Sequence, residues 1–186
     1  MKKIVLLIAC CMSVAGFSQT KDICITSEEQ KLYDLIMAYR TEKGLPQIPM
    51  SKSLSYVAHQ HAWDLEVNQP VKGNCNMHSW SSKGPWTACC YTPDHKNAKG
   101  MWEKPKELTT YTGNGYEISC SGSDELTAEE SLASWKQSVH HNNVIINEDI
   151  WKKHTWNAIG IAIKGKYAVV WFGKEADAEG QPEKCK

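Results

Sequence analysis

The sequence lacks the short motifs of several large enzyme classes. It has no glycine-rich phosphate loop and no repeated strand–helix–strand pattern, so a nucleotide-binding α/β enzyme is not indicated. It has no Gly-x-Ser-x-Gly segment and no Ser-His-Asp signature, so a serine hydrolase has little support. It also has no Cys-x-x-Cys pair, which argues against a structural zinc cluster of the usual spacing.

The sequence also has no excess of positive or negative charge. The 186 residues include 21 Lys and Arg and 21 Asp and Glu, and the basic residues are scattered, so no nucleic-acid partner is expected. Phenylalanine is scarce, with two copies against eight Trp and seven Tyr. Amphipathic rings of this kind serve in groove walls as well as in cores. The length is enough for one domain with its own core.

No apolar run is long enough to cross a bilayer, which takes roughly 20 residues. The run at residues 4–16 follows Lys2 and Lys3 and precedes small and polar residues, which is the pattern of a signal peptide. We therefore predict a signal peptide at residues 1–19, a secreted protein, extracellular or periplasmic, and no stable membrane span. The alternative is a bacterial lipobox at residues 7–10, which would leave a lipoprotein anchored at Cys10.

Cysteine usage agrees with export. Six cysteines remain after the predicted signal peptide, namely Cys24, Cys75, Cys89, Cys90, Cys120 and Cys185. An even number in an oxidising compartment predicts up to three disulfides, whose pairing the sequence does not define. Because a bridge between adjacent cysteines is strained, Cys89 and Cys90 are expected to pair with different partners.

Two helices are predicted in the first third of the chain. The first spans residues 25–44, with Ser27 as its cap and Gln30 at the capping-box position. The second spans residues 52–67 and has a continuous apolar stripe that includes His61. We interpret His61 as a core histidine whose ring bonds to the backbone, and His59, which lies off the stripe, as solvated.

The helix predicted to start at Thr127 has a capping box with Glu130, and it leads into the paired histidines His140 and His141. Imidazoles placed where a helix gives way to a loop can face a cleft. Residues 157–163 and 166–173 then read as two strands joined by a tight turn. Residues 176–186 are predicted to form a polar, mobile tail that Cys185 can pin to the body.

Regular patterning fades between residues 69 and 112, where three cysteines indicate an ordered, disulfide-tied excursion with a short helix near residues 102–108. His95 reads as a surface turn residue. Glu117 follows in a short apolar segment, where its carboxylate is either solvated at an edge or held in a polar cluster. Helices first and strands later predict an α+β domain, with helices packed on a mainly antiparallel sheet.

A series of segments in this order resembles the CAP superfamily, which comprises the cysteine-rich secretory, antigen 5 and pathogenesis-related class 1 proteins and their secreted bacterial relatives. The segments are AHQHAWDL, MHS, GYEIS, EESLASWKQSVHHNNVI, WNAIGIAI and VVWFG. The resemblance covers roughly residues 28–173 and leaves out residues 81–108, which look like an insertion. It implies a CAP domain at residues 24–175 with a three-layer α-β-α sandwich around a central cleft.

Three of the four cleft residues of that family have counterparts here. The resemblance assigns His78, Glu117 and His141 to the cleft, with His140 able to replace His141. The second glutamate is absent because Ser138 stands at its position. Two imidazoles and one carboxylate are a reasonable ligand set for zinc, so these three residues are the candidate metal ligands. They can equally form a metal-free polar cluster, or bond one another in a purely structural role.

The favoured interpretation is an exported binding module whose cleft holds a small lipid, a peptide or a metal ion without turnover. The expected aromatic walls are Trp80, Trp86, Trp102 and Tyr116. One alternative is a zinc-dependent hydrolase that uses the same cleft. Another is a surface interaction or host-effector protein that acts through the insertion at residues 81–108. No residue is assigned a catalytic role, and zinc is the only cofactor considered.

Overall fold

The computed structural model describes residues 22–186. The predicted signal peptide at residues 1–19 and the lipobox alternative at Cys10 lie outside the described residues. Between Asp22 and Lys186, no helix is both long enough and apolar enough to cross a bilayer.

A three-stranded antiparallel sheet forms the centre of the fold. Its strands are β2 (Gly115–Ser121), β3 (Ala158–Lys164) and β4 (Tyr167–Gly173), in the order β2-β4-β3. The predicted hairpin is confirmed, since β3 and β4 pair around the turn at Gly165. Side chains alternate along β4, so that Val170 and Phe172 join one hydrophobic cluster while Val169 and Trp171 join another on the opposite face.

The first face of the sheet is covered by α1 (Ser27–Glu42), α5 (Ala128–Gln137) and α6 (Val139–Ile145). The capping box of Thr127 and Glu130 is present, as predicted. The first helix is capped one residue earlier than predicted, because Thr26 accepts the amide of Glu29 and Glu29 reaches back to Thr26. Helices on both faces and an antiparallel sheet confirm the α+β prediction.

The helix predicted to start at Thr127 ends before Ser138, and a second helix follows it where a loop was predicted. Ser138 has an extended backbone (φ −90°, ψ 113°), which ends α5 and allows α6 to begin at Val139 in a new direction. Both histidines therefore lie in the first turn of a short helix and not in the predicted loop. The 3-10 turn Asp149–Trp151 follows α6.

The second face is covered by α2 (Lys52–Trp63). It continues as a π-helical turn at Asp64–Asn68, so the predicted helix is present but its α-helical part is shorter. The Asp64 carboxylate accepts hydrogen bonds from Asn68 Nδ2 (2.7 Å) and from the amide and hydroxyl of Ser81. Through these bonds the Asp64 carboxylate joins the wide turn to the segment that follows it.

The excursion after the π-helical turn is ordered, as expected. It contains α3 (Ala98–Trp102) and α4 (Lys104–Leu108), and a disulfide between Cys75 and Cys90 ties its first part together. His95 is an exposed turn residue with a left-handed backbone (φ 58°).

Within residues 22–186, two disulfides are present, fewer than the maximum of three that the cysteine count allows, and the bridge expected at Cys89 is absent. Cys24 pairs with Cys185 and Cys75 pairs with Cys90, whereas Cys89 and Cys120 are free thiols. Cys120 points from β2 into the hydrophobic cluster beneath α5. Cys89 packs in the cluster on the opposite face of the sheet, which keeps the two sulfurs apart.

The polar tail is attached to the domain at two points. Strand β5 (Glu183–Lys184) pairs in parallel with β1 (Cys24–Ile25), beside the disulfide. Upstream, the Asp177 carboxylate accepts hydrogen bonds from the hydroxyls of Ser51 (2.6 Å) and Ser53 (3.0 Å) and from the Ser53 amide (2.8 Å), at the start of α2. The first amides of a helix have no partners within the helix, and the Asp177 carboxylate accepts a hydrogen bond from one of them, the Ser53 amide.

Candidate functional site

Glu117 is the centre of the candidate site. In the sheet it lies opposite Trp171, which in turn lies opposite Gly160, so these three residues form a row across β2, β4 and β3. The row faces α2. Gly160 allows the backbone of α2 to come close, because a methyl group there would meet the Leu54 carbonyl carbon at 2.1 Å. This close packing brings His61 of α2 onto the Glu117 carboxylate.

The Glu117 side chain is fully buried, and each of its oxygens binds one histidine. Oε2 contacts His61 Nδ1, and Oε1 lies 2.7 Å from His78 Nδ1. His61 is also fully buried, and its Nε2 donates to the carbonyl oxygen of Ser79 at 3.0 Å. Glu117 is therefore held in a polar cluster, which decides the question that its local sequence left open.

The hydrogen bonds define the protonation of this cluster. A carbonyl oxygen only accepts, so His61 Nε2 must carry a proton, and an ionised Glu117 requires a second proton on Nδ1. His61 is therefore an imidazolium while Glu117 is a carboxylate. Burial raises the pKa of Glu117, but the charge of His61 and the hydrogen bonds from both histidines outweigh burial and hold that pKa below its ordinary value.

His78 connects the buried cluster to a cleft. Its Nδ1–H donates to Glu117, so only Nε2 remains for another partner, and 18% of its side chain is exposed. A carboxylate bonded to one ring nitrogen fixes the tautomer and the orientation of an imidazole. The cleft has a volume of about 400 Å³, which lies within the range of small-molecule sites.

Both histidines of the pair His140 and His141 line this cleft. His141 is half-buried and His140 is exposed, so His141 is the deeper of the two. Burial, together with the charges of His78 and His140, lowers the pKa of His141. The three residues that the resemblance assigned to the cleft, His78, Glu117 and His141, all line one cavity. Within residues 22–186, a hydrogen bond joins His78 to Glu117, and none joins His141 to either of them.

The three predicted zinc ligands do not fit a zinc site as they are placed. Both oxygens of Glu117 and Nδ1 of His78 are engaged in hydrogen bonds with one another and with His61. Between Asp22 and Lys186, no group of three His, Cys, Asp or Glu side chains is arranged to hold a metal ion. Zinc would have to share a fully buried carboxylate whose two oxygens already bind histidines, so metal binding by these three residues stays a prediction that the geometry does not favour.

Aromatic rings also line the cleft. Tyr116 of β2 meets Trp151 edge to face (centroids 5.2 Å apart, planes at 72°) and meets Trp102 of α3 at 6.0 Å. Of the four predicted wall residues, Trp102 and Tyr116 line the cleft. Trp80 and Trp86 do not, because they are buried in the core around α2.

Two side chains of α1 hold α6, the helix that carries the paired histidines, in place. Tyr39 donates to Asn142 Oδ1 at 3.0 Å. Arg40 is buried and donates to the carbonyl oxygen of Ile145 and to Asn147 Oδ1 (2.7 Å). Burial lowers the pKa of Arg40 to about 10. The cleft wall is thus held by a buried cation that is bonded to neutral oxygens.

Sequence reasoning missed several residues that line the cleft, including Trp151, and it missed the part that His61 plays beneath the cleft. Trp151 follows α6 in a 3-10 turn, and no local pattern indicated that it faces the histidines. His61 was predicted to be buried and bonded to the backbone, which its contact with Ser79 confirms, but its bond to Glu117 was not predicted. His59 was predicted to be solvated, but it is half-buried and its Nε2 lies 3.0 Å from Glu29 Oε1.

Comparison with known proteins shows the fold. No protein-family model and no curated protein matches the sequence. Among solved structures, an extracellular SCP-domain protein from Bacillus anthracis aligns with a TM-score of 0.54 at 16% identity, over 80% of this chain and 40% of that one. A cysteine-rich secretory protein from Staphylococcus aureus aligns with a TM-score of 0.52 at 16% identity, over 80% of this chain and 38% of that one.

An outer surface protein from Borrelia burgdorferi aligns with a TM-score of 0.53 at 20% identity, over 78% of this chain and 91% of that one. The chain thus spans about two fifths of the length of the Bacillus and Staphylococcus proteins and nearly the whole of the Borrelia protein. The expectation drawn from the sequence motifs is confirmed at the level of architecture: the chain has a bacterial CAP-type fold.

Proposed function

We propose that the chain is an exported binding module whose cleft holds a small neutral ligand, either a lipid or a peptide, without turnover. The observation that carries the proposal is that one cavity is lined both by an oriented polar group and by aromatic rings. The polar group is His78, which the buried Glu117 holds in a single orientation, and the rings are those of Tyr116 and Trp151. Apolar rings opposite a few fixed polar groups are typical of ligand sites.

Export is supported by three independent observations. Residues 1–19 have the pattern of a signal peptide, and two disulfides join four of the six described cysteines. Two of the structural neighbours are an extracellular protein and an outer surface protein.

Turnover is not part of the proposal. A metal-dependent hydrolase that used Glu117 as a ligand would draw on a buried carboxylate that already binds two histidines, and between Asp22 and Lys186 no group of three such side chains is arranged around a metal position. An effector acting through the insertion alone is less well supported, because Tyr91, His95 and Trp102 of the insertion contribute to the cleft itself.

Thermal unfolding in the presence of candidate ligands tests the proposal. A ligand at a hundred times its Kd stabilises the folded state by about 2.7 kcal/mol. We expect Asn143→Trp, which fills the cleft from a half-exposed position, to abolish that stabilisation. The matched control Gln137→Trp, on the exposed face of α5, should retain it. The proposal fails if a panel of lipids and peptides gives no shift, or gives equal shifts in both variants.

A further inference from the structure

The chemical character of the cleft narrows the class of ligand, and this step rests on the proposed function. Among residues 22–186, no lysine or arginine lines the cleft, and the nearby cation is Lys174, whose Nζ lies over the ring of Tyr116 at 5.5 Å from its centroid. The charge of the Glu117 carboxylate is already balanced by His61, so that among the described residues Asp149 is the other acid of the lining. The cleft therefore suits a ligand without net charge.

The hydrogen-bond donors that lack partners narrow the class of ligand further. Trp86 and Trp156 donate their indole N–H groups to backbone carbonyls. Within residues 22–186, the indoles of Trp102 and Trp151 make no such bond, although both rings line the cleft. Asn76 and Asn143 contribute amide groups to the same lining. The cleft is thus lined by apolar rings, and two of these rings carry indole N–H groups that have no hydrogen-bond partner within residues 22–186.

The rings also stand at steep angles to one another. Tyr116 and Trp151 are inclined by 72°, and Tyr116 and Trp102 by 52°, so the wall is ridged and not flat. Ile150 extends the apolar surface at the mouth of the cleft and is 69% exposed. Ridged aromatic walls of this kind receive the pyrrolidine rings of a polyproline II segment.

We propose that the ligand is a proline-rich peptide segment in the polyproline II conformation. Such a segment has no amide N–H at its prolines and leaves its carbonyl oxygens free, so it needs donors and no acceptors from its receptor. Trp102 and Trp151 supply donors beside the rings that would pack on proline. The segment is rigid before it binds, which reduces the entropy lost on binding.

Tryptophan fluorescence titration with a synthetic oligoproline peptide tests this inference, with a Gly-Ser peptide of equal length as the negative probe. We expect saturable binding of oligoproline alone, with little dependence on salt because no charges are paired. Trp151→Ala should weaken the affinity at least about tenfold, as for an interface anchor. Trp63→Ala, which removes an exposed indole from α2 outside the cleft, should leave the affinity unchanged.

Two conservative variants keep the test valid if Trp151→Ala fails to fold. Trp151→Phe and Trp102→Phe retain a ring and remove the N–H donor, and each is expected to weaken binding severalfold while the unfolding temperature stays near that of the native chain. The inference is overturned if oligoproline does not bind the folded protein, or binds equally well to every variant.

The experiment can reject the proline-rich ligand without rejecting the binding cleft. A neutral oligosaccharide or a fatty acid that binds with the same dependence on Trp151, when oligoproline does not, overturns the proline inference and retains the binding cleft. Absence of binding by all three probes counts against both.

Discussion

The rings of His61 and Trp80 lie face to face, with centroids 4.3 Å apart and planes inclined by only 7°. This stack orients the imidazole so that one nitrogen meets Glu117 and the other meets the carbonyl oxygen of Ser79. Trp80, which the sequence suggested as a wall of the cleft, instead supports the residue beneath it.

Replacement of His61 tests the buried cluster. His61→Phe keeps a ring over Trp80 but leaves one Glu117 oxygen buried without a partner, so we expect a loss of about 3–5 kcal/mol in the free energy of unfolding. Urea denaturation at neutral pH measures it. The control Lys153→Gln changes an exposed side chain that makes no hydrogen bond or ion pair within residues 22–186, and it should cost less than about 0.5 kcal/mol. Equal stabilities of the two variants would contradict this account of Glu117.

Glu29 predicts an acid-dependent loss of stability. Its buried side chain accepts the amides of Thr26 (2.9 Å) and Ile163 (3.0 Å). Burial raises the pKa of Glu29, but His59 and these amides outweigh burial and lower it below 4.5. The unfolded chain therefore binds the proton more tightly, and the stabilisation from Glu29 is present above pH 4.5 and is lost as the pH falls through the folded-state pKa.

The measurement is the free energy of unfolding between pH 3 and pH 7, about the range over which carboxylates titrate. The slope of the free energy of unfolding against pH is proportional to the number of protons taken up on unfolding. Below pH 4.5, this number should be smaller in Glu29→Gln than in the native chain, by up to one proton. Glu42→Gln, at the exposed end of α1, should keep the native slope. An unchanged slope in Glu29→Gln would exclude Glu29 as a source of the acid sensitivity.

Gly160 predicts a steric effect on both stability and the site. A methyl group at this position would meet the amide of Ser55 at 2.3 Å, and a helix backbone cannot move aside alone. We expect Gly160→Ala to cost at least about 2 kcal/mol and to weaken ligand binding, because α2 carries His61. At Gly122 the nearest group is the flexible end of Leu126 at 3.0 Å, so Gly122→Ala should cost much less. Calorimetry distinguishes the two variants.

The two free cysteines predict a defined pattern of thiol labelling. Burial raises the pKa of Cys89, partly offset by the charge of Lys104, and burial raises the pKa of Cys120 to about 11. In a chain that starts at Asp22, Cys89 should react slowly with a thiol reagent in the folded state, and Cys120 should react only after unfolding. Cys89→Ser should remove the slow reaction. A protein with no reactive thiol after unfolding without reductant would instead contain a third disulfide.

Local patterns in the sequence were sufficient for the parts of the fold that local physics determines. The capping box of Thr127 and Glu130 involves residues three apart, and the β3–β4 hairpin is set by alternating side chains and one tight turn. The free thiols were not predictable in this way. The number of cysteines shows only whether all of them could pair. The face of the sheet to which Cys120 points depends on its position in β2.

The candidate site was only partly predictable, for a similar reason. The family resemblance placed His78 beside Glu117, and a hydrogen bond joins them. His61 lies 56 residues before Glu117, so their contact depends on how closely α2 packs on β3 at Gly160. Trp151 reaches the cleft because Ser138 redirects the chain, and a change of direction of this kind leaves no periodic signal.

The disulfide between Cys24 and Cys185 also determines how the domain responds to mechanical force. The two cysteines are 161 residues apart in the chain, and their strands run side by side in parallel. A pull applied to the residues before Cys24 and after Cys185 passes through the sulfur–sulfur bond, so the sheet and the cleft carry no load. Reduction of that one bond would convert a short rigid link into an extensible tether, with on the order of 500 Å of chain available once the domain unravels.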